Sequence, residues 1–219
     1  MRNTAVRQCN GAVALALAVP LGAIGAALMK HGSFGLSPFY SVSLALFDAT
    51  GMFTMGTWNA CFQIALILLL MLILRKAKLR YLLSFAVAGA SSIILDGANV
   101  VCARLPQTMP VRVICYIAGF LVMTLGIAMM AECKLPVAPM NLFVRELSEE
   151  WGKPFRGIKL IFDICCLAVS VAASLCFTGR LSHGIGVGTV LSAFLTGPFS
   201  GVYITRLRKR FSFYTPIQR

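Results

Sequence analysis

Acidic residues are scarce. The 219-residue chain carries seven Asp and Glu against 20 Lys and Arg, and only two His. That supply leaves no acid–imidazole set at metal-ligand spacing and ties neither histidine to a Ser or Cys nucleophile, so neither an enzyme nor a metal centre is expected. CxxC pairs are missing too. Cys9, Cys61, Cys102, Cys115, Cys133, Cys165, Cys166 and Cys176 fall mostly in apolar runs, where a thiol behaves as a small hydrophobe, and a zinc site has little support. The adjacent Cys165 and Cys166 invite a redox reading, but buried thiols are usually inert. No strand precedes GIGVG at 184–188, which argues against a dinucleotide loop; its glycines suit close helix packing instead. No cofactor is expected.

Charge of either sign is thin, at 12%, while 58% of residues are hydrophobic and the mean hydropathy is +0.84. A soluble domain of this length needs more polar surface, so the class is an all-α integral membrane protein whose first partner is the lipid bilayer. The net charge of +13 raises nucleic acid as a partner. No soluble stretch is long enough to shape a basic groove, however, so no nucleic-acid binding is expected.

Six stretches suffice to cross a bilayer: 11–29, 57–74, 81–103, 111–131, 157–178 and 184–205. The first could pass for a signal peptide, but its apolar run is too long and lacks a convincing cleavage site before Lys30. With the N-terminus inside, only Lys30, Arg104, Arg112 and Arg180 of the 20 basic residues fall outside. The positive-inside rule therefore favours both termini in the cytoplasm. Because topology already explains this charge, a basic inner surface does not make the substrate an anion.

Sliding the chain against itself by 101 residues aligns its punctuation. Gly25 meets Gly126, Ala27 meets Ala128, Met29 meets Met130, Pro38 meets Pro139, Leu46 meets Leu147, Gly51 meets Gly152, and Gly56 meets Gly157. Asp48 falls on Glu149, and Asp96-Gly97 on Gly197-Pro198. Residues 1–108 and 109–219 thus read as two three-span repeats, and odd-numbered copies in series must enter the membrane from opposite faces. A coincidence of glycines in a six-helix bundle is the rival reading. Each repeat holds a non-spanning segment. The one at 31–56 is apolar and suits a re-entrant half-helix, whereas that at 132–157 carries Arg145, Glu146, Glu149 and Glu150 opposite an apolar face and suits the inner interface.

Polar groups at depth carry the functional expectation. A carboxylate inside a span costs about 2.5–3.5 kcal/mol unless protein, water or a partner receives it. Asp96 is such a group; Asn99 lies one turn on and Gly97 loosens the helix between them. Asn59 and Gln63 share a face of the second span, and Gly197-Pro198 is read as a break in the sixth. These seven are the expected substrate path, with Asp96 titrating to couple flux to a proton gradient. A second tier comprises Asp163, paired in sequence with Lys159, and the two histidines, His31 and His183, at the outer mouth. The rival for Asp96 is structural: a hydrogen bond that joins two helices.

GSFGLSPFYSVSLAL and GTVLSAFLTGPFSGVYITRLRK resemble the bacterial YczE/YitT-type membrane proteins, over most of the chain. The resemblance implies a bacterial inner-membrane location and a role in transport or in regulating export of metabolites; it supplies no catalytic residue. The expected function is a small transporter of a metabolite or ion, working as a homodimer. One alternative is the substrate-binding membrane subunit of an ATP-driven uptake system, with Ala14/Ala18 or Ala23/Ala27 as the partner's docking ridge. Another is a non-transporting membrane scaffold or regulator.

Overall fold

The computed structural model describes residues 7–75, 79–133, 138–182 and 184–214. Eight helices stand among them: α1 (Gly11–Gly32), α2 (Pro38–Thr50), α3 (Met55–Leu74), α4 (Leu79–Cys102), α5 (Met109–Glu132), α6 (Pro139–Glu150), α7 (Phe155–Thr178) and α8 (Val187–Arg210). All except α2 and α6 are long and apolar enough to cross a bilayer. The six expected spans are present, the last starting at Val187 rather than 184 and running on to Arg210. Two short strands that the sequence reading did not anticipate, β1 (Arg7–Asn10) and β2 (Phe211–Tyr214), pair in parallel where the chain enters α1 and leaves α8. They mark the terminal end of the bundle; the loops after α1, α2, α4 and α7 mark the far end. Leu17, Leu72, Ile93, Val100 and Phe177 point outward, as lipid-facing side chains must.

The centre is a close antiparallel pair, α1 against α5. Its contacts run in opposite senses: Gly32 lies on Tyr116 and Arg112, Gly25 on Gly119 and Met123, and Ala18 with Gly22 on Gly126. A Cβ at Gly25 would stand 2.6 Å from the Met123 amide nitrogen and 2.7 Å from the Gly119 carbonyl oxygen. A Cβ at Gly126 would stand 2.8 Å from the Gly22 nitrogen and 2.9 Å from the Ala18 oxygen. Under the 101-residue shift Gly25 corresponds to Gly126, Gly22 to Met123 and Ala18 to Gly119, so the two contacts are one contact made twice.

The same exchange runs through the bundle. α1 packs on α4 as α5 does on α8; α3 on α4 as α7 on α8; α2 on α3 as α6 on α7. The short helices cross over, α2 against α7 and α6 against α3. Local signals repeat as well. Pro38 and Pro139 each open their helix at the first turn, where a missing N–H costs nothing, and Gly51 and Gly152 follow the two ends at φ +61°.

Three expectations need correction. The second short helix does not lie at an interface: Pro139 to Val144, Glu146 and Leu147 are buried, Tyr81 donates its hydroxyl to Glu146 at 3.1 Å, and only the last turn reaches the surface. Glu146 is thus held by a neighbouring helix, while Arg145 pairs with Glu149 on the same helix and Glu149 and Glu150 are exposed. α4 and α8 are continuous through Asp96-Gly97 and Gly197-Pro198. The helix runs on through Pro198, although the proline leaves the Phe194 carbonyl without its helical donor; the nearby Thr196 and Ser200 hydroxyls donate elsewhere, to the carbonyls of Ser192 (2.6 Å) and Gly197 (3.0 Å). Finally, Ala14, Ala18, Ala23 and Ala27 are all buried inside the protein, so the ridge expected to dock a partner ATPase is already covered.

Candidate functional site

Asp96 stands beside the N-terminus of α3. One carboxylate oxygen accepts from the Thr54 hydroxyl at 2.6 Å and the other from the Gly56 N–H at 2.8 Å. A helix start leaves amides without partners, and a carboxylate there satisfies them while favouring the dipole. Thr54 completes the cap by accepting from the Thr57 N–H at 3.0 Å. Asp96 is therefore level with the far-end start of α3, not at the membrane midplane, and both its oxygens are engaged. Gly97 is exposed, with nothing within 4 Å of the position a Cβ would take, and faces away from any path.

The remaining path candidates separate. Asn59 and Gln63 are buried between α3 and α4 and donate to Ser92 (3.0 Å) and Ser91 (3.1 Å). Asn99 lines a far-end pocket of about 210 Å³ with Lys30 and His31. His31 is tied to the following loop, Nε2 to the Pro106 carbonyl and Nδ1 to the Gln107 amide, each at 3.3 Å. Gly197 and Pro198 are wall residues of a cavity of about 910 Å³ at the terminal end. Asp163 and Lys159 form a fully buried ion pair on α7 and line neither of these cavities. His183 lies outside the described residues.

What the structure assembles at the centre is different. A void of about 20 Å³, room for roughly one water, lies where the first turns of α2 and α6 approach each other. Phe39 and Tyr40 line it from α2, Met140 and Asn141 from α6, Gln63 and Ser91 from α3 and α4. The 101-residue shift pairs Tyr40 with Asn141, so aligned positions of the two short helices both line the void. Asn141 is 2% exposed; its Nδ2 donates to the Met130 sulfur at 3.2 Å, and its Oδ1 has no partner. Burial pushes the Tyr40 phenol well above its ordinary pKa, so it stays a hydroxyl donor.

The void is not equally closed on its two sides. Met130 and Asn141 line both it and the 910 Å³ cavity, so a single layer of side chains separates them. Toward the far end a packed apolar layer intervenes: Ala23, Ala26, Ala27, Leu36, Leu44 and Leu95, with Tyr40 against it. Sequence reasoning missed Asn141, Tyr40 and Ser91. The usable signal was the aligned Pro38 and Pro139, since Tyr40 and Asn141 each stand two places after a proline that opens a buried half-helix.

These features define a multi-pass helical membrane protein with two short internal helices aimed at a central void. By sequence the chain belongs to DUF6198, a family of unknown function, whose model matches residues 9–205. No curated protein and no solved structure matches it.

Proposed function

We propose that this protein is a secondary transporter built of two inverted three-span halves, 1–108 and 109–219, that moves a small solute past the central void by alternating access. One observation carries the reading: the void is one side chain away from a 910 Å³ cavity at the terminal end and a packed apolar layer away from the far end. The exchanged contacts of α1 with α5 support it, because a pair of like halves has two equivalent arrangements, one open to each side. The positive-inside distribution makes the terminal end cytoplasmic, so the state is inward-open. A bacterial inner-membrane location and kinship with YczE/YitT-type proteins fit this reading, as does a homodimer.

The test follows the opening itself. Spin labels at Ser148 and Thr205, on opposite walls of the terminal-end cavity in α6 and α8, are introduced in a background with its native cysteines replaced. In nanodiscs the pair should give two distance populations whose ratio shifts with pH or membrane composition. A single narrow distance under every condition would remove alternating access.

A further inference from the structure

We infer that the transported solute is a small oxyanion that keeps a hydrogen-bond donor, such as a hydroxycarboxylate or hydrogen phosphate. This rests on the transporter reading and adds the chemistry of its cargo. Two places along the path agree. At the centre, α2 and α6 present their N-termini without side-chain caps. Pro38 and Pro139 have no N–H, while Ser41 and Leu142 bond to the carbonyls of Ser37 and Ala138 at 2.9 and 3.0 Å. That leaves the amides of residues 39, 40, 140 and 141 as the ones without a helical partner, at the positive ends of two dipoles. No carboxylate lines the void to offset them.

At the terminal-end mouth exposed basic residues, whose charge topology already accounts for, also line the cavity. Its two acids are engaged: Glu132 takes a bidentate bond from Arg208 at 2.8 and 2.9 Å, and Glu149 lies 3.9 Å from Arg145. Arg156, Arg206 and Lys209 line the same cavity with no ion pair among the described residues. With five basic residues against two acids, the lining carries a net positive charge, and such a cavity concentrates anions.

Asn141 adds the second requirement. One of its two amide N–H groups donates to the Met130 sulfur, and its Oδ1 is a buried acceptor without a partner on a residue that lines the void. An unmatched acceptor of this kind favours a ligand that brings an O–H, whereas a bare anion leaves it unsatisfied. One net hydrogen bond of about 1.4 kcal/mol corresponds to about tenfold in affinity.

Charge movement on solid-supported membranes tests this with purified protein in liposomes. The probes are jumps of sodium lactate, sodium propionate, sodium phosphate and propylammonium chloride, each against protein-free liposomes. Lactate and phosphate should give saturable currents of anion sign, with propionate half-saturating about tenfold higher. N141A should remove the lactate preference while leaving an anion current, and thermal stability of the variant controls for folding. Equal lactate and propionate responses in the wild type would overturn the donor requirement. Currents with propylammonium alone, or with none of the four, would overturn the oxyanion, and the spin-label distances report separately whether the protein still alternates.

Discussion

Replacing Gly25 by alanine probes the α1–α5 contact on which the arrangement of the halves depends. The added carbon would stand 2.6 and 2.7 Å from backbone atoms of Met123 and Gly119, roughly an ångström inside ordinary contact. Backbone cannot rotate away as a side chain does, so the two helices must separate. Overpacking of this kind costs about 1–3 kcal/mol, and the upper end applies here. Removing a glycine from a helix interior returns about 1 kcal/mol, for a net loss near 2 kcal/mol. For a chain of this length each kcal/mol moves the melting temperature by about 2–4 °C, so G25A should melt about 4–8 °C low. G126A should behave alike, because its carbon meets the corresponding atoms of Gly22 and Ala18. The double variant should lose less than the sum, since one separation relieves both clashes. G97A is the control: nothing lies near its Cβ, so it should melt slightly high. Size-exclusion thermostability in detergent, read by tryptophan or fused-reporter fluorescence, measures all four. A G25A protein as stable as G97A would refute the close contact and the exchange built on it.

Other substitutions separate structural from transporting groups. D96N should lower stability by about 1 kcal/mol, the usual worth of a helix cap, because an amide cannot accept on both sides from Thr54 and Gly56. Any lactate current per folded protein should be unchanged, and its loss would return Asp96 to the path. D163N alone should cost about 3–5 kcal/mol by stranding Lys159 in the interior, whereas K159M/D163L should be near neutral; abundance and melting temperature distinguish the two, and a single variant as stable as the double would refute the burial of the pair. R208Q should cost under about 1 kcal/mol, since the arginine of its pair with Glu132 is largely exposed, and high salt should erase the difference.

Much of this fold was legible because bilayer physics writes itself in long runs. Six stretches of apolar residues became six spans, and aligned Gly25/Gly126 and Pro38/Pro139 marked points where backbone, not side chain, is the constraint. The site was less legible, for a specific reason. A carboxylate in an apolar run announces that it needs partners but not which kind, and Asp96 finds them in a cap contributed by residues 42 and 40 positions earlier. The misreading of 132–157 has a related source. Glu146 and Arg145 looked solvated by composition, yet Glu146 is buried against Tyr81 from another span. Amphipathic pattern measures polarity around a helix, and a neighbouring helix that offers hydroxyls substitutes for water. Gly197-Pro198 failed as a break because a proline removes a single donor from a ladder that the rest of α8 keeps, a loss membrane helices tolerate.

On the transporter proposal, the paired positions Tyr40 and Asn141 would decide which side of the void is closed. Each begins a buried half-helix and each borders the void, yet one is an aromatic and the other a short amide. The Tyr40 hydroxyl reaches to within 3.9 Å of the place a Gly22 Cβ would take, and its ring joins the apolar layer that closes the far end. Asn141 is too short to close its own side and leaves the Met130 sulfur as the remaining cover. On that proposal, the difference in side-chain volume at this aligned pair would bias which end is open. On the proposed alternating access, opening the far end would require Tyr40 to leave its layer while Met130 and its neighbours close over Asn141, and close packing of the layer would make that an all-or-none exchange.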